Sequence, residues 1–189
     1  MSGLYPCAAR RRAISRMETD ALRTPLIRRL AETKKMKKKN FILPYNERRR
    51  FHERAYRAQQ NDQSEVCGAV VASADNRLRL QFMSNQSTSL WSFEISESDL
   101  KEARKKASES HETLIGLFHS HIASEGILSQ RDLENARMTH LQLVYDICGR
   151  DVRLWKVKKV NGQKVPIELP LVTEPRMKQP SRTLDTDRG

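Results

Sequence analysis

Residues 114–132 read LIGLFHSHIASEGILSQRD, and both the predicted fold and the predicted site rest mainly on this stretch. Its apolar first half predicts a buried strand that runs directly into His119 and His121. Alternate residues of a strand lie on the same face of a sheet, so the two imidazoles should stand side by side. Such a pair is also found on ordinary protein surfaces, so it indicates a functional site only together with further ligands.

Seven residues separate His121 from Ser129. Ser129 begins a helix that the pattern predicts to about Met138, with Asp132 in its first turn. Ser129 and Asp132 fit a capping box, and taken alone they favour that interpretation. After a strand that ends in two same-face histidines, however, such a helix also directs its carboxylate back at them. His119, His121 and Asp132 then suit one metal ion, and three protein ligands leave the fourth position of a tetrahedral zinc open, as in catalytic sites.

A metal hydrolase also needs a base that takes a proton from the attacking water. Glu65 is the candidate, because it opens the apolar run at residues 66–72, which predicts a buried strand. Gly68 in this run would let another backbone approach closely. The alternatives are Glu47 and Glu53, which are typical of exposed charges on the preceding predicted helix, and the ordinary interpretation of Glu65 is a surface residue before a strand.

The chain as a whole predicts a single mixed α/β domain over residues 40–172. A basic extension (1–39) precedes it and a polar tail (173–189) follows it, and both are expected to be disordered. Asn46 and Ser96 are the expected N-caps of the first two helices, and Asp75 and Asn76 are expected to form the hairpin turn between the strands at 66–72 and 78–83. The predicted strands cover residues 41–44, 66–72, 78–83, 114–118, 141–148 and 152–160, with an extended stretch at 89–95 and an edge segment at 165–172; the predicted helices cover residues 46–60, 97–110 and 129–138.

The formal net charge of +12 is concentrated in the extension. Residues 1–39 hold twelve basic and three acidic residues, whereas the other 150 residues are close to balance, with 23 basic and 20 acidic. Such a segment is usually solvated, so it predicts at most non-specific contacts with nucleic acid. Met17 and Met36 are alternatives to Met1 as the start, so the extension can also be an over-long start assignment.

Three cysteines, an odd number without a Cys-x-x-Cys pair, favour a reducing compartment and predict a cytoplasmic protein. Cys67 and Cys148 stand in apolar runs and are expected to pack in the core. No apolar run of the sequence has the length needed to span a bilayer, and no secretory pattern opens the chain, so membrane contact is not expected.

These segments resemble the signature of the JAMM (MPN-plus) zinc metallopeptidases, which is an upstream Glu, then His-Ser-His, seven residues, Ser, two residues and Asp. Residues 65–68 (EVCG) resemble the family's Glu-x-x-Gly segment, and Asn85 and Phe93 resemble weaker positions. The family usually has proline directly after the second histidine, where this chain has Ile122. The resemblance covers residues 40–172 and implies a mixed-sheet MPN/JAMM domain with a cytidine-deaminase-like three-layer arrangement and flanking helices.

The resemblance also implies an activity. Zinc would be bound by His119, His121 and Asp132, Glu65 would be the general acid/base, and Ser129 would stabilise the tetrahedral oxyanion. The implied reaction is hydrolysis of the amide at the C-terminal glycine of a ubiquitin-like protein, in a conjugate or a precursor, by water that zinc and Glu65 activate.

The compact form resembles bacterial stand-alone members of the family that accompany ubiquitin-like conjugation systems in anti-phage operons. This implies E1-like and E2-like proteins encoded nearby and a role in antiviral defence. Two alternatives stay open: a peptidase that acts on a sulfur-carrier protein adduct, which would use the same site, and a non-catalytic MPN scaffold, although such scaffolds generally lose ligands. A cytidine deaminase is excluded, because the chain has no His-x-Glu with a downstream Cys-x-x-Cys.

Overall fold

The computed structural model describes residues 40–61, 64–137 and 139–176 of the 189-residue chain. The predictions for the extension at 1–39 and for the tail beyond residue 176 lie outside the described residues. None of the helices that the structure describes is long and apolar enough to cross a membrane. The strands are β1 (Phe41–Leu43), β2 (Cys67–Ala72), β3 (Leu78–Met83), β4 (Thr113–His121), β5 (Leu141–Asp146), β6 (Asp151–Val160), β7 (Gln163–Leu169) and β8 (Leu171–Thr173), and the helices are α1 (Tyr45–Asn61), α2 (Glu97–Glu109) and α3 (Gln130–Asn135).

Six of the strands form one mixed sheet in the order β3-β2-β4-β5-β6-β7. All neighbours in it are antiparallel except β4 and β5, which run parallel and are connected through α3. The first part of the predicted edge segment at 165–172 is confirmed as the edge strand β7, which tolerates Pro166 because an edge strand has one unpaired side, whereas the residues after Pro170 form β8 outside this sheet. Strands β1 and β8 form a separate parallel pair, and β8 includes Thr173, one residue past the predicted end of the domain.

Helix α1 packs on one face of the sheet through the aromatic side chain of Phe51. Its ring centroid lies 4.8 Å from that of Phe118 on β4 and 5.1 Å from that of Tyr145 on β5. Burial of such a side chain contributes roughly 1.5–3 kcal/mol. Gly68 lets the Gln81 backbone approach closely, as predicted, because a Cβ there would lie 2.1 Å from the Gln81 carbonyl oxygen, and that Cβ would also lie 2.7 Å from the Phe118 ring.

The opposite face of the sheet carries α2 and α3. His119 and its register partners, Cys67 on β2 and Val144 on β5, point to this face. Val144 packs against Leu128 and Ala136, the residues that flank α3, and α2 lies over the β3 end of the same face. The sheet therefore separates α1 from α2 and α3, which confirms the predicted α/β fold with its three layers.

Several local predictions are confirmed. Ser96 is the N-cap of α2, and its hydroxyl accepts the Asp99 N–H at 3.1 Å. Asn76 lies in the turn between β2 and β3 with a φ of 62°, a conformation that asparagine tolerates better than most residues. Cys67 is buried in the core.

The predicted N-cap at Asn46 is wrong. Helix α1 already begins at Tyr45, and the carbonyl of Pro44 accepts the Arg48 N–H at 3.0 Å. Proline has no N–H to donate, but its carbonyl can still open a helix. Asn46 therefore lies within the first turn.

Three further features differ from the predictions: the conformation of residues 89–95, the end of α3 and the position of Cys148. Residues 89–95 form no strand: the chain bends and turns through residues 89–91, and the Asn85 side chain bonds to backbone groups before the segment, at Ser87, and within it, at Ser92 and Glu94. Helix α3 ends at Asn135, since Ala136 has an extended ψ of 127°. Cys148 lies in the exposed turn between β5 and β6, so the expectation that it packs in the core is wrong.

Candidate metal centre

The register between β2 and β4 brings the two halves of the predicted site together. Cys67 pairs with His119, and just beyond this pair the Ser120 N–H donates to the Val66 carbonyl at 3.0 Å. The Val66 N–H donates in turn to the Ser120 hydroxyl at 2.9 Å. Glu65, the next residue along, therefore lies beside the end of β4, within electrostatic range of its last histidine.

The three predicted ligands converge on one point. The Nε2 atoms of His119 and His121 lie 3.1 Å apart. Each also lies 3.4 Å from a carboxylate oxygen of Asp132, His119 from Oδ1 and His121 from Oδ2. Within the described residues, these side chains are found as a group whose ligand atoms all lie within 4.8 Å of one another.

The tautomer of His121 is set by the loop that follows β4. Its Nδ1 lies 2.8 Å from the carbonyl oxygen of Glu125, which can only accept a hydrogen bond. Nδ1 therefore carries the hydrogen, and Nε2 presents its lone pair to the point where the three side chains meet. The Ser124 hydroxyl lies 2.9 Å from the same Nδ1 and adds a second contact.

The ring of His119 is held by stacking. Phe93 lies parallel to it, with ring centroids 4.5 Å apart and an interplanar angle of 20°. The Nδ1 atom of His119 is buried and has no hydrogen-bond partner within the described part of the chain. Burial lowers the pKa of His119, although Asp132 opposes this, so the imidazole is neutral and suited to bind a metal.

Asp132 is both a helix-capping residue and a member of this group. Its Oδ2 accepts the Ser129 N–H at 2.8 Å and the Ser129 hydroxyl at 2.6 Å, and its own N–H donates to that hydroxyl at 3.2 Å. Burial alone would raise the pKa of Asp132, but hydrogen bonds from His119, His121 and Ser129 hold it well below the usual range. The capping interpretation and the ligand interpretation are thus compatible in one geometry.

The arrangement of His119, His121 and Asp132 suits a bound cation better than it suits direct hydrogen bonds among the three side chains. Two imidazole nitrogens that face each other at 3.1 Å can be reconciled only by a proton or by a cation between them. Two nitrogens and a carboxylate are ligands that zinc commonly takes, and three of them leave a position open for water or substrate. Burial would lower the pKa of His121, but Asp132 and the Glu125 carbonyl raise it overall, so positive charge is favoured at this ring.

Glu65 is buried at 7% exposure beside this group. Desolvation raises the pKa of its carboxyl to about 7, with His121 and Arg131 lowering it and Asp132 raising it. A carboxyl with a pKa near neutrality can both take up and release a proton at physiological pH, which is what a general acid/base requires.

The raised pKa of Glu65 predicts a pH-dependent stability of the metal-free protein. Folding raises this pKa from 4.5 to about 7, because the fold favours the protonated carboxyl. The contribution of Glu65 to the free energy of unfolding is therefore fully present below pH 4.5 and is lost as the pH rises from 4.5 to 7. We expect metal-free Glu65→Gln to be more stable than wild type by about 3 kcal/mol at pH 8, and similar to it at pH 4.5. Urea unfolding in the presence of a chelator measures the free energy of unfolding of each protein at the two pH values. Glu53→Gln on the exposed side of α1 is the control, and a gain in Glu65→Gln that did not vary with pH would contradict this account.

The structure brings together all five residues that the sequence singled out, namely Glu65, His119, His121, Ser129 and Asp132. Other contributors were missed. Ser124 and Glu125, which orient His121, had no motif to mark them, and Phe93 had only its weak family position.

The fold and the site together define a member of the JAB superfamily, and the chain belongs to the family described as prokaryotic homologs of the JAB domain, which matches residues 48–158. The predicted resemblance to JAMM/MPN proteins is confirmed by this match.

Individual relatives agree with this assignment. The chain is 33% identical over 73 residues to the desampylase of Pyrococcus furiosus, a match that covers 39% of this chain and 52% of the relative. The chain thus spans about half the length of this curated relative. The fold is shared with a protein from Desulfitobacterium hafniense (TM-score 0.60, 17% identity, 73% of this chain and 95% of that one). It is also shared with a protein from Salinibacter ruber (TM-score 0.50, 14% identity, 71% and 92%).

Proposed function

We propose that this protein is a zinc-dependent isopeptidase that removes ubiquitin-like proteins from conjugates or precursors. The observation that carries the proposal is the convergence of His119, His121 and Asp132 on one point, with the buried carboxyl of Glu65 beside it. The family and the similarity to a desampylase support the substrate class.

Each residue has a proposed part in the reaction. Zinc held by His119, His121 and Asp132 would polarise the scissile carbonyl and lower the pKa of a water molecule. Glu65 takes the proton from the attacking water and delivers it to the leaving lysine amine. Ser129 is proposed to donate to the developing oxyanion. Its hydroxyl now donates to Asp132 at 2.6 Å, so it exchanges that hydrogen bond for one to the substrate.

The proposed partners follow from the substrate class. Conjugates of a ubiquitin-like protein are made by E1-like and E2-like enzymes, which we propose are encoded beside this protein. A cytoplasmic location and a role in antiviral defence complete the proposal. Contact with nucleic acid is limited in this proposal to non-specific binding by residues 1–39.

The proposal is tested with a linear fusion in which a reporter peptide follows the C-terminal glycine of a ubiquitin-like protein. We expect cleavage after that glycine, loss of activity on chelation, and recovery with one equivalent of zinc. His119→Ala should lose both zinc and activity, whereas His140→Ala, which removes a histidine outside the site, should keep both. Cleavage that is unaffected by chelation, or by His119→Ala, would overturn the proposal.

A further inference from the structure

Helix α3 carries Asp132 but is too short to be stable without contacts to the rest of the protein. It has six residues, and none of these described residues is buried. An isolated helix of this length is not stable in water, because its few hydrogen bonds do not offset the cost of nucleation. The direction in which Asp132 points must therefore be set by contacts from outside the helix.

The first outside contact fixes the loop between His121 and Ser129. The indole N–H of Trp155, on β6, donates to the Gly126 carbonyl at 2.9 Å in a buried position. The Trp155 ring belongs to the same apolar cluster as Leu128 and Leu133, which stand directly before the N-cap and four residues into the helix. That spacing is a hydrophobic staple, which sets the angle at which a chain enters a helix. Trp155 thus anchors the loop by a hydrogen bond and the helix entry by packing.

The second outside contact fixes the other end of α3. The ammonium group of Lys164, on β7, donates to the carbonyl of Glu134 at 2.6 Å and to the carbonyl of Ala136 at 2.9 Å. The last carbonyls of a helix lack partners within the helix, and a cation there is favoured by the helix dipole. Lys164 therefore supplies the cap that this short helix lacks.

We propose that Trp155 and Lys164 are positioning residues for metal binding, which together hold α3 so that Asp132 meets the two histidines. This inference rests on the proposed zinc site. The β6–β7 hairpin contributes no ligand, yet it contacts α3 at both ends. A zinc–carboxylate bond of about 2.1 Å leaves little tolerance, so a helix that moves freely lowers the affinity of the site.

The test measures the zinc affinity of the metal-free full chain by competition with a chromophoric chelator. Trp155→Phe removes the indole N–H but keeps an aromatic ring, and Lys164→Met removes the ammonium group but keeps the apolar stem. We expect each to weaken zinc binding about 10- to 100-fold, the range seen when groups that orient metal ligands are removed. Lys158→Met, on the opposite face of the same hairpin, is the matched control and should bind zinc as wild type does.

Three further measurements separate positioning from folding. Lys164→Arg keeps a cationic donor, so its zinc affinity should lie much closer to that of wild type than the affinity of Lys164→Met does. The visible spectrum of the cobalt-substituted Lys164→Met variant should differ from that of wild type. Thermal unfolding in chelator checks that each variant is folded, and the substitution Lys164→Met at a half-buried position keeps the test decisive if Trp155→Phe does not fold. Zinc affinities of the folded variants equal to that of wild type would overturn this inference alone. A wild-type protein that binds no zinc would overturn the proposed function and this inference with it.

Discussion

Replacing Glu65 by glutamine is expected to lower kcat on a ubiquitin-like fusion roughly 10²- to 10⁴-fold, while zinc stays bound. The amide cannot accept a proton from water or return one to the leaving amine, so the loss falls on the chemical step. Because the three ligand side chains are untouched, the zinc content and KM should change little. Initial rates over a range of substrate concentrations, together with zinc analysis of the same samples, measure all three quantities.

The control for this prediction is Glu53→Gln. Glu53 lies on the exposed side of α1 and forms a surface ion pair with Arg49 at 3.6 Å, and sequence reasoning considered it as an alternative base. Full activity in Glu65→Gln, or an equal loss in Glu53→Gln, would contradict the assignment of the base. Loss of zinc from Glu65→Gln would mean that Glu65 acts mainly on the metal.

The positions of the histidines and of Asp132 could be predicted because local rules govern them. The period of two in a strand puts His119 and His121 on one face, and the capping box directs Asp132 back from the start of α3. The N-caps Ser96 and Ser129 and the buried strand β2 follow from equally local patterns. These predictions need only the residue types at neighbouring positions of the sequence, and they do not need the distant partners against which the segments pack.

The remaining features depend on contacts between residues that are distant in sequence. Glu65 lies 54 residues before His119, and only the register of β2 against β4 brings it to the site. Trp155 and Lys164 contact the segment around α3 from 29 and 28 residues away. No spacing rule links such pairs, so sequence reasoning proposed Glu65 from its place at the start of an apolar run and from the family motif, and did not propose the other two residues. The turn at residues 90–91 was missed for a similar reason, since the Asn85 side chain bonds to the backbone of Ser92 and Glu94 and no strand forms there.

The second large effect concerns Asp132, which caps α3 and is proposed to bind zinc, and two substitutions separate the cap from the proposed ligand. Asp132→Asn keeps an oxygen that can accept from the Ser129 N–H, so it retains part of the cap, but it loses the charge that attracts zinc.

Asp132→Ala loses both functions. We expect both Asp132 variants to bind zinc more weakly by about 100-fold or more, because loss of a ligand should exceed the roughly 10- to 100-fold cost of losing a group that only orients one. The metal-free stability should distinguish them. Asp132→Ala should lose about 1 kcal/mol with its half of the capping box, and Asp132→Asn should lose less.

Ser129→Ala completes this comparison, because it removes the N-cap hydroxyl and leaves the carboxylate in place. It should lower the metal-free stability by about 1 kcal/mol, while its zinc affinity falls far less than that of Asp132→Asn. Chelator competition and urea unfolding on the same four proteins give both quantities. If Asp132→Asn bound zinc as tightly as wild type, Asp132 would be a helix cap and no ligand, and the convergence of its carboxylate with the two imidazoles would reflect helix capping alone.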